Sequence, residues 1–275
     1  MQRKIKQIFF EKPTLEGAGV KLKRVFGYHQ VPLFDPFLLF DHFGSDNPSD
    51  YLKGFPWHPH RGIETVTYML SGKVEHGDSM GNKGIIDSGD VQWITAGAGI
   101  IHQEMPQFYN GMMKGFQLWV NLPAKNKMVP PKYRGITKDD IPIFEKNEIK
   151  TKVISGVFKN VIGPVKDLQV DVNYFDIELL NSSSFEYKIK RHYKTFIYVI
   201  EGNGYIDKTL IQEKQCILFE DGDSINIKSK DNLRFLFVSG EPLNEPVAWS
   251  GPIVMNTQSE LDIAFHELNN GIFIK

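Results

Sequence analysis

The stretch Tyr68-Met69-Leu70-Ser71-Gly72 returns later in the chain as Tyr198-Val199-Ile200-Glu201-Gly202. Likewise Gly89-Asp90-Val91-Gln92-Trp93-Ile94 returns as Gly222-Asp223-Ser224-Ile225-Asn226-Ile227. The two offsets, 130 and 133 residues, are nearly equal, which marks a supersecondary unit present twice. The first stretch runs apolar residues into a glycine turn and the second runs out of one, so the repeated unit is built of strands. The same texture continues outward. Short apolar or alternating runs at 65–70, 91–94, 115–120, 175–180, 196–200, 216–219 and 234–238 are bounded by Gly, Asp, Asn or Pro. This spacing predicts an all-β protein of two sandwiches or barrels rather than alternating β/α units.

The repeat predicts an N-terminal domain over 1–128, a linker over 129–150 that holds Pro130, Pro131 and Pro142, and a C-terminal domain over 151–275. Two pieces read as helix. Thr137-Lys138-Asp139-Asp140 places a cap and acids before Ile141, and Pro142 keeps it short. From Ser259 to Leu268, the residues Leu261, Ala264, Phe265 and Leu268 share one face, predicting an amphipathic C-terminal helix on the second domain, with Gly271 as its stop. At the other end, alternation across Ile5, Gln7, Phe9 and Glu11 fits a first strand better than a membrane anchor or secretory signal.

Composition narrows the function. With 32 Lys+Arg against 33 Asp+Glu, the chain has no basic surface for direct nucleic-acid binding. No run approaches the ~18 apolar residues that span a bilayer. Cys216 is the single cysteine, which excludes an intrachain disulfide and a cysteine-rich zinc module and fits a reducing, cytoplasmic setting. Chemistry therefore falls to histidines and carboxylates.

Six of the eight histidines lie within the first 102 residues, in two tight groups: Trp57-His58-Pro59-His60-Arg61-Gly62-Ile63-Glu64 and His102-Gln103-Glu104. Along a strand, residues i and i+2 share a face. His58 pairs with His60 on this count, and His102 with Glu104. If the two strands meet inside a barrel, three imidazoles and a carboxylate converge, a donor set suited to Fe(II), Mn(II), Ni(II) or Cu(II), with open positions for water or substrate. The second repeat acts as an internal control. The equivalent positions there are Lys188, Lys190, Phe235 and Phe237, so the expectation is one metal centre, in the first domain only. His42 and His76 have no same-face partner and read as structural or exposed, and Trp93, Trp119, Phe116 and Phe37 read mainly as barrel packing.

These residues carry a family resemblance. Gly54-x3-His58-x-His60-x3-Glu64-x7-Gly72, followed by Gly89-x7-Gly97-x4-His102, resembles the two cupin motifs. It departs from them in the role of Glu64, ordinarily a ligand, and in Thr95, where proline is common. Those departures resemble pirins. So do Asp35-Pro36-Phe37-Leu38-Leu39-Phe40-Asp41, His58-Pro59-His60-Arg61-Gly62, His102-Gln103-Glu104-Met105-Pro106, Gln117-Leu118-Trp119-Val120-Asn121-Leu122, Glu241-Pro242-Leu243-Asn244-Glu245-Pro246 and Gly251-Pro252-Ile253-Val254-Met255-Asn256-Thr257.

The resemblance implies a bicupin with iron held by His58, His60, His102 and Glu104, and with Glu64 behind them, orienting a ligand imidazole. Zn is a further divalent candidate beside those above. It implies a dioxygenase of the quercetin 2,3-dioxygenase type, opening a flavonol ring with O₂ and releasing carbon monoxide. Glu104 is the candidate base for the substrate hydroxyl. The alternative it implies is a metal- or redox-responsive protein that regulates transcription or a metabolic enzyme through protein contacts.

Overall fold

The computed structural model describes all 275 residues. Strands dominate, with four single-turn helices and one longer helix, Gln258–Asn269. No helix is long and apolar enough to cross a membrane. The chain groups into two compact units. One contains Met1–Glu11, Phe34–Pro36 and Asp139–Pro242; the other contains Lys12–Leu33, Phe37–Lys138 and Leu243–Lys275.

The second of these units carries the clustered histidines. Its seven-stranded sheet runs in the order Lys132–Ile136, Val91–Thr95, Ile63–Ser71, Met113–Asn121, Phe37–Ser45, Val20–Phe26, Lys12–Glu16. A four-stranded sheet runs Phe55–His60, Ile100–Pro106, Val74–Asp78, Lys83–Ile86. All pairs are antiparallel. Period-two alternation puts Val66 and Tyr68 on the packed side with Trp93, Phe116 and Leu118, all at most 1% exposed. Trp93, Phe116 and Phe37 thus pack the unit as expected.

The other unit folds one nine-stranded sheet over itself. The 17-residue strand Ser224–Gly240 pairs with Ser184–Lys188 over its first half and with Val172–Leu179 and Lys194–Ile206 over its second, so one strand serves both walls. Between the walls, Phe175, Phe185, Phe235 and Phe237 are fully buried. Phe237 stacks on Phe175 at 5.5 Å, and Phe235 meets Phe185 edge-on at 5.6 Å. Lys188 and Lys190 are exposed. Phenylalanine therefore fills the space where the histidine-bearing unit keeps polar groups.

The division differs from cuts at 128 and 150 at both ends of the chain. The first strand, Ile5–Phe10, pairs with Gln215–Phe219 and so belongs to the phenylalanine-filled unit. The C-terminal helix belongs to the histidine-bearing unit, where Leu261 and Ala264 pack with Ile253, Met255 and Phe273. The expected linker is itself structured. Lys132–Ile136 adds an edge strand beside Val91–Thr95, and Ile143–Lys146 forms a hairpin with Ile149–Ser155. The expected short helix is a single turn at Lys138–Asp140, as Pro142 dictates.

Candidate metal centre

His58 and His60 end the strand Phe55–His60, and His102 lies on its neighbour Ile100–Pro106, with His102 directly opposite His58. Period-two geometry and this register turn all three rings to one point. Their ligand atoms lie within 4.8 Å of one another. The Nε2 atoms of His58 and His60 are 3.1 Å apart, and the ring centroids of His58 and His102 are 4.4 Å apart.

Each ring is held differently. His58 Nδ1 lies 2.9 Å from the Pro56 carbonyl, and His60 Nδ1 lies 3.1 Å from the Pro252 carbonyl. Those acceptors keep the proton on Nδ1 and leave Nε2 free to bind a metal. Both ring nitrogens of His102 are buried without a hydrogen-bond partner. Such a group costs about 1–3 kcal/mol unless something satisfies it. Burial, reinforced by the neighbouring imidazoles, pushes His60 down to about 3 and His102 well below the usual histidine range; burial lowers His58 as well. Neutral rings are the form that binds metal. An orphaned imidazole beside two oriented ones fits a divalent transition metal with nitrogen affinity.

Glu104 stands apart from the three-imidazole cluster. Its carboxylate lines the same cavity and lies 2.8 Å from the Thr67 hydroxyl, which reaches it from the seven-stranded sheet. Burial raises the Glu104 pKa, and the hydroxyl opposes that rise. Glu64 does not orient a ligand ring. It accepts hydrogen bonds from Trp93 Nε1 at 2.9 Å and Thr95 Oγ1 at 2.6 Å, with Arg134 donating to Thr95 at 3.0 Å. Backbone carbonyls at Pro56 and Pro252 orient the rings instead, and a carbonyl leaves no side-chain signature for sequence reading to find. His42 stacks on Phe116 at 5.1 Å, and His76 stacks on Tyr133 and lies 2.9 Å from its hydroxyl. Both are structural, as their isolation suggested.

A cavity of about 850 Å³ opens beside the centre. His58, His60 and Glu104 line it, together with Trp57, Trp119 and Trp249. Its far wall carries an ion pair: Arg24 binds Asp41 through two bonds of 2.9 and 2.8 Å and reaches Glu16 at 2.9 Å. Trp119 thus faces the cavity as well as packing. Thr67, Trp249 and the Arg24–Asp41 pair were not singled out in the sequence; each lies on an inward strand position or in a loop whose partner is far along the chain.

The residue after His60 anchors the C-terminal segment to the ligand strand. Arg61 is 1% exposed, donates to the carbonyls of Ala98 (2.6 Å) and Phe273 (3.0 Å), and pairs with Glu267 at 2.6 Å. Val254 N donates to the Arg61 carbonyl at 3.1 Å. Lys127 Nζ donates to the carbonyls of Gly62 and Val254 at 2.8 and 3.0 Å, and to the Asn121 side chain. The loop that supplies the Pro252 carbonyl is therefore fixed to the strand whose histidine it orients.

Comparison with known proteins points to one family. The Pirin family profile matches residues 19–120, and the profile for the Pirin C-terminal cupin domain matches 174–274. A pirin-like protein of Caulobacter vibrioides is 41% identical over 98% of this chain and 99% of its own length. Pirin-1 of Arabidopsis thaliana is 39% identical over 93% of this chain and 89% of its own. A crystal structure of quercetin 2,3-dioxygenase from Acinetobacter baumannii superposes with a TM-score of 0.92 at 32% identity, covering 99% of each chain. Two cupin units, one with converging histidines and one packed with phenylalanine, matched end to end by such relatives, make this chain a member of the pirin family.

Proposed function

We propose that the protein is an Fe(II)-dependent dioxygenase that opens the ring of a flavonol-type substrate. The observation that carries this reading is the meeting of three imidazoles, two of which, His58 and His60, line a cavity of about 850 Å³, a size common for small-molecule sites. His58, His60 and His102 would hold the metal, and Glu104 would complete the donor set or act beside it. Bound iron would act as Lewis acid and template for the substrate oxygen and O₂. The chain's own part is placement. Trp119 and Trp249 give a planar ring an apolar wall. Glu104, kept basic by burial and steadied by Thr67, accepts the proton of the substrate hydroxyl.

The test is anaerobic Fe(II) loading, followed by quercetin and then O₂, with flavonol absorbance and carbon monoxide release recorded. Loss of absorbance in the loaded protein, abolished in His58→Ala, is the expected result. Equal rates in the two proteins refute the reading.

A further inference from the structure

Beside His60 the aromatic rings form an unbroken line to the surface. The His60 ring meets Trp119 edge-on with centroids 5.1 Å apart. Trp119 meets Trp249 at 5.7 Å, and Trp249 meets Tyr28 edge-on at 5.6 Å. Tyr28 is 61% exposed, while both tryptophans are half-buried. Burial of apolar area accounts for the tryptophans. It does not account for a mostly exposed tyrosine set against the outer one.

Tryptophan and tyrosine are the aromatic side chains that give up an electron most readily, and rings in contact exchange electrons quickly. The outer end of this line differs from its interior in one chemical respect. Oxidised tyrosine must shed its phenolic proton, and water can take that proton from an exposed ring. Trp249 cannot do the same, because its Nε1–H donates to the Gly251 carbonyl at 2.8 Å and a carbonyl is no base for it. The energetic slope therefore runs outward, from the centre to Tyr28.

We infer that Trp119, Trp249 and Tyr28 form a relay that carries an oxidising equivalent from the metal centre to the surface when an oxidant reacts there without substrate. This rests on the reading of His58, His60 and His102 as iron ligands. The oxidant is a peroxide, whose two-electron reduction to water would take one electron from Fe(II), leaving Fe(III), and the second from the aromatic line. Trp119 supplies that electron, Trp249 refills Trp119, and Tyr28 refills Trp249. Tyr28 loses one electron to the centre and one proton to water, and a solvent thiol returns the resulting tyrosyl radical to phenol by donating a hydrogen atom. The three imidazoles are thereby spared oxidation.

The test uses full-length protein carrying ring-deuterated tyrosine, loaded anaerobically with Fe(II), assayed for iron, mixed with hydrogen peroxide without flavonol and freeze-quenched. Electron paramagnetic resonance reads the radical, and narrowing by deuterium identifies it as tyrosyl. The parent shows the signal, and Tyr28→Phe lacks it. In Trp249→Phe it falls about tenfold, equivalent to about 1.4 kcal/mol in the transfer barrier. Peptide mass spectrometry then finds added oxygen at Trp119. Iron-loaded protein without a tyrosyl signal overturns the relay, as does a full signal in either variant. Protein that takes up no iron overturns the centre and the relay together. Iron-loaded protein that shows the signal but leaves quercetin untouched overturns only the flavonol reading.

Discussion

Gly62 is the position where one methyl group tests how the centre is held. Its φ is +77°, and an added Cβ would lie 1.9 Å from the Val254 carbonyl oxygen and 2.9 Å from Lys127 Cδ. Cβ contacts below 3.0 Å do not occur, so the Val254 backbone must retreat by about 1.1 Å. The left-handed backbone costs about 1–2 kcal/mol in Ala, and forced repacking about 1–3 more. Gly62→Ala is therefore expected to lose about 2–5 kcal/mol, a large share of the ~5–15 kcal/mol typical of a domain. The displaced carbonyl lies two residues after Pro252, whose own carbonyl orients His60, so metal affinity falls by about 10–100-fold. The control is Gly81→Ala, at φ +90° with nothing within 4 Å of the added Cβ, which isolates the backbone contribution of about 1–2 kcal/mol. Urea unfolding gives the stabilities, and competition with a chromophoric chelator gives the metal affinities. Equal losses in the two variants, or unchanged metal affinity in Gly62→Ala, would refute the argument that the Pro252–Val254 loop holds His60 in place.

Three further outcomes follow from the same geometry. Arg61→Leu leaves the carbonyls of Ala98 and Phe273 without their donor and Glu267 with Lys275 alone, and is expected to cost about 3–5 kcal/mol in urea unfolding and to expose the C-terminal helix to protease. In metal-free protein the folded state withholds a proton from His60 until about pH 3, whereas the unfolded chain takes it up near 6.5. Stability is then fully present above 6.5 and drains away as pH falls toward 3, by an amount of order 5 kcal/mol, with a shallower decline in His60→Gln, as urea titrations across pH would record. Thr67→Val removes the hydroxyl that favours ionised Glu104, so the acidic limb of the flavonol pH–rate profile moves upward; a profile that stays in place argues against Glu104 as the base.

Much of the structure was legible because it obeys local rules. The repeated glycine turns exposed the two-unit plan, and period-two alternation alone brought His58 and His60 to one face. The Lys and Phe at the equivalent positions foretold the filled interior of the other unit, where Phe235 and Phe237 are fully buried. What escaped was long-range. Ile5–Phe10 reads as a strand, but nothing within it names Gln215–Phe219 as its partner, and the C-terminal helix gives no hint that it packs beside the ligand strand. At Glu104 the irregularity is subtler. Alternation sets it on the face of His102, yet the register against Phe55–His60 shifts between the two: His102 faces His58, while Glu104 faces Phe55. Its carboxylate lies 2.8 Å from the Thr67 hydroxyl, and a register shift of this kind has no residue signature here.

The two units also illustrate why a functional interior carries a stability cost. One unit fills its central cluster with apolar side chains, Phe175, Phe185, Phe235 and Phe237 among them, and gains apolar burial there. The other buries His60, His102, Glu64, Glu104, Asp41 and Lys127, each of which loses hydration that protein partners must replace. For most of them the partners are present: Thr95 and Trp93 for Glu64, Thr67 for Glu104, Arg24 for Asp41, and the Gly62 and Val254 carbonyls for Lys127. His102 is the exception, with both nitrogens buried and unpartnered. A unit that gives these groups their partners but leaves the His102 ring bare beside the other two imidazoles is one that a metal would complete, and the same unit anchors that point from behind through Pro252 and Arg61. Metal binding would then recover in the folded state what the bare ring forfeits, linking occupancy of the centre to the stability of the unit that carries it.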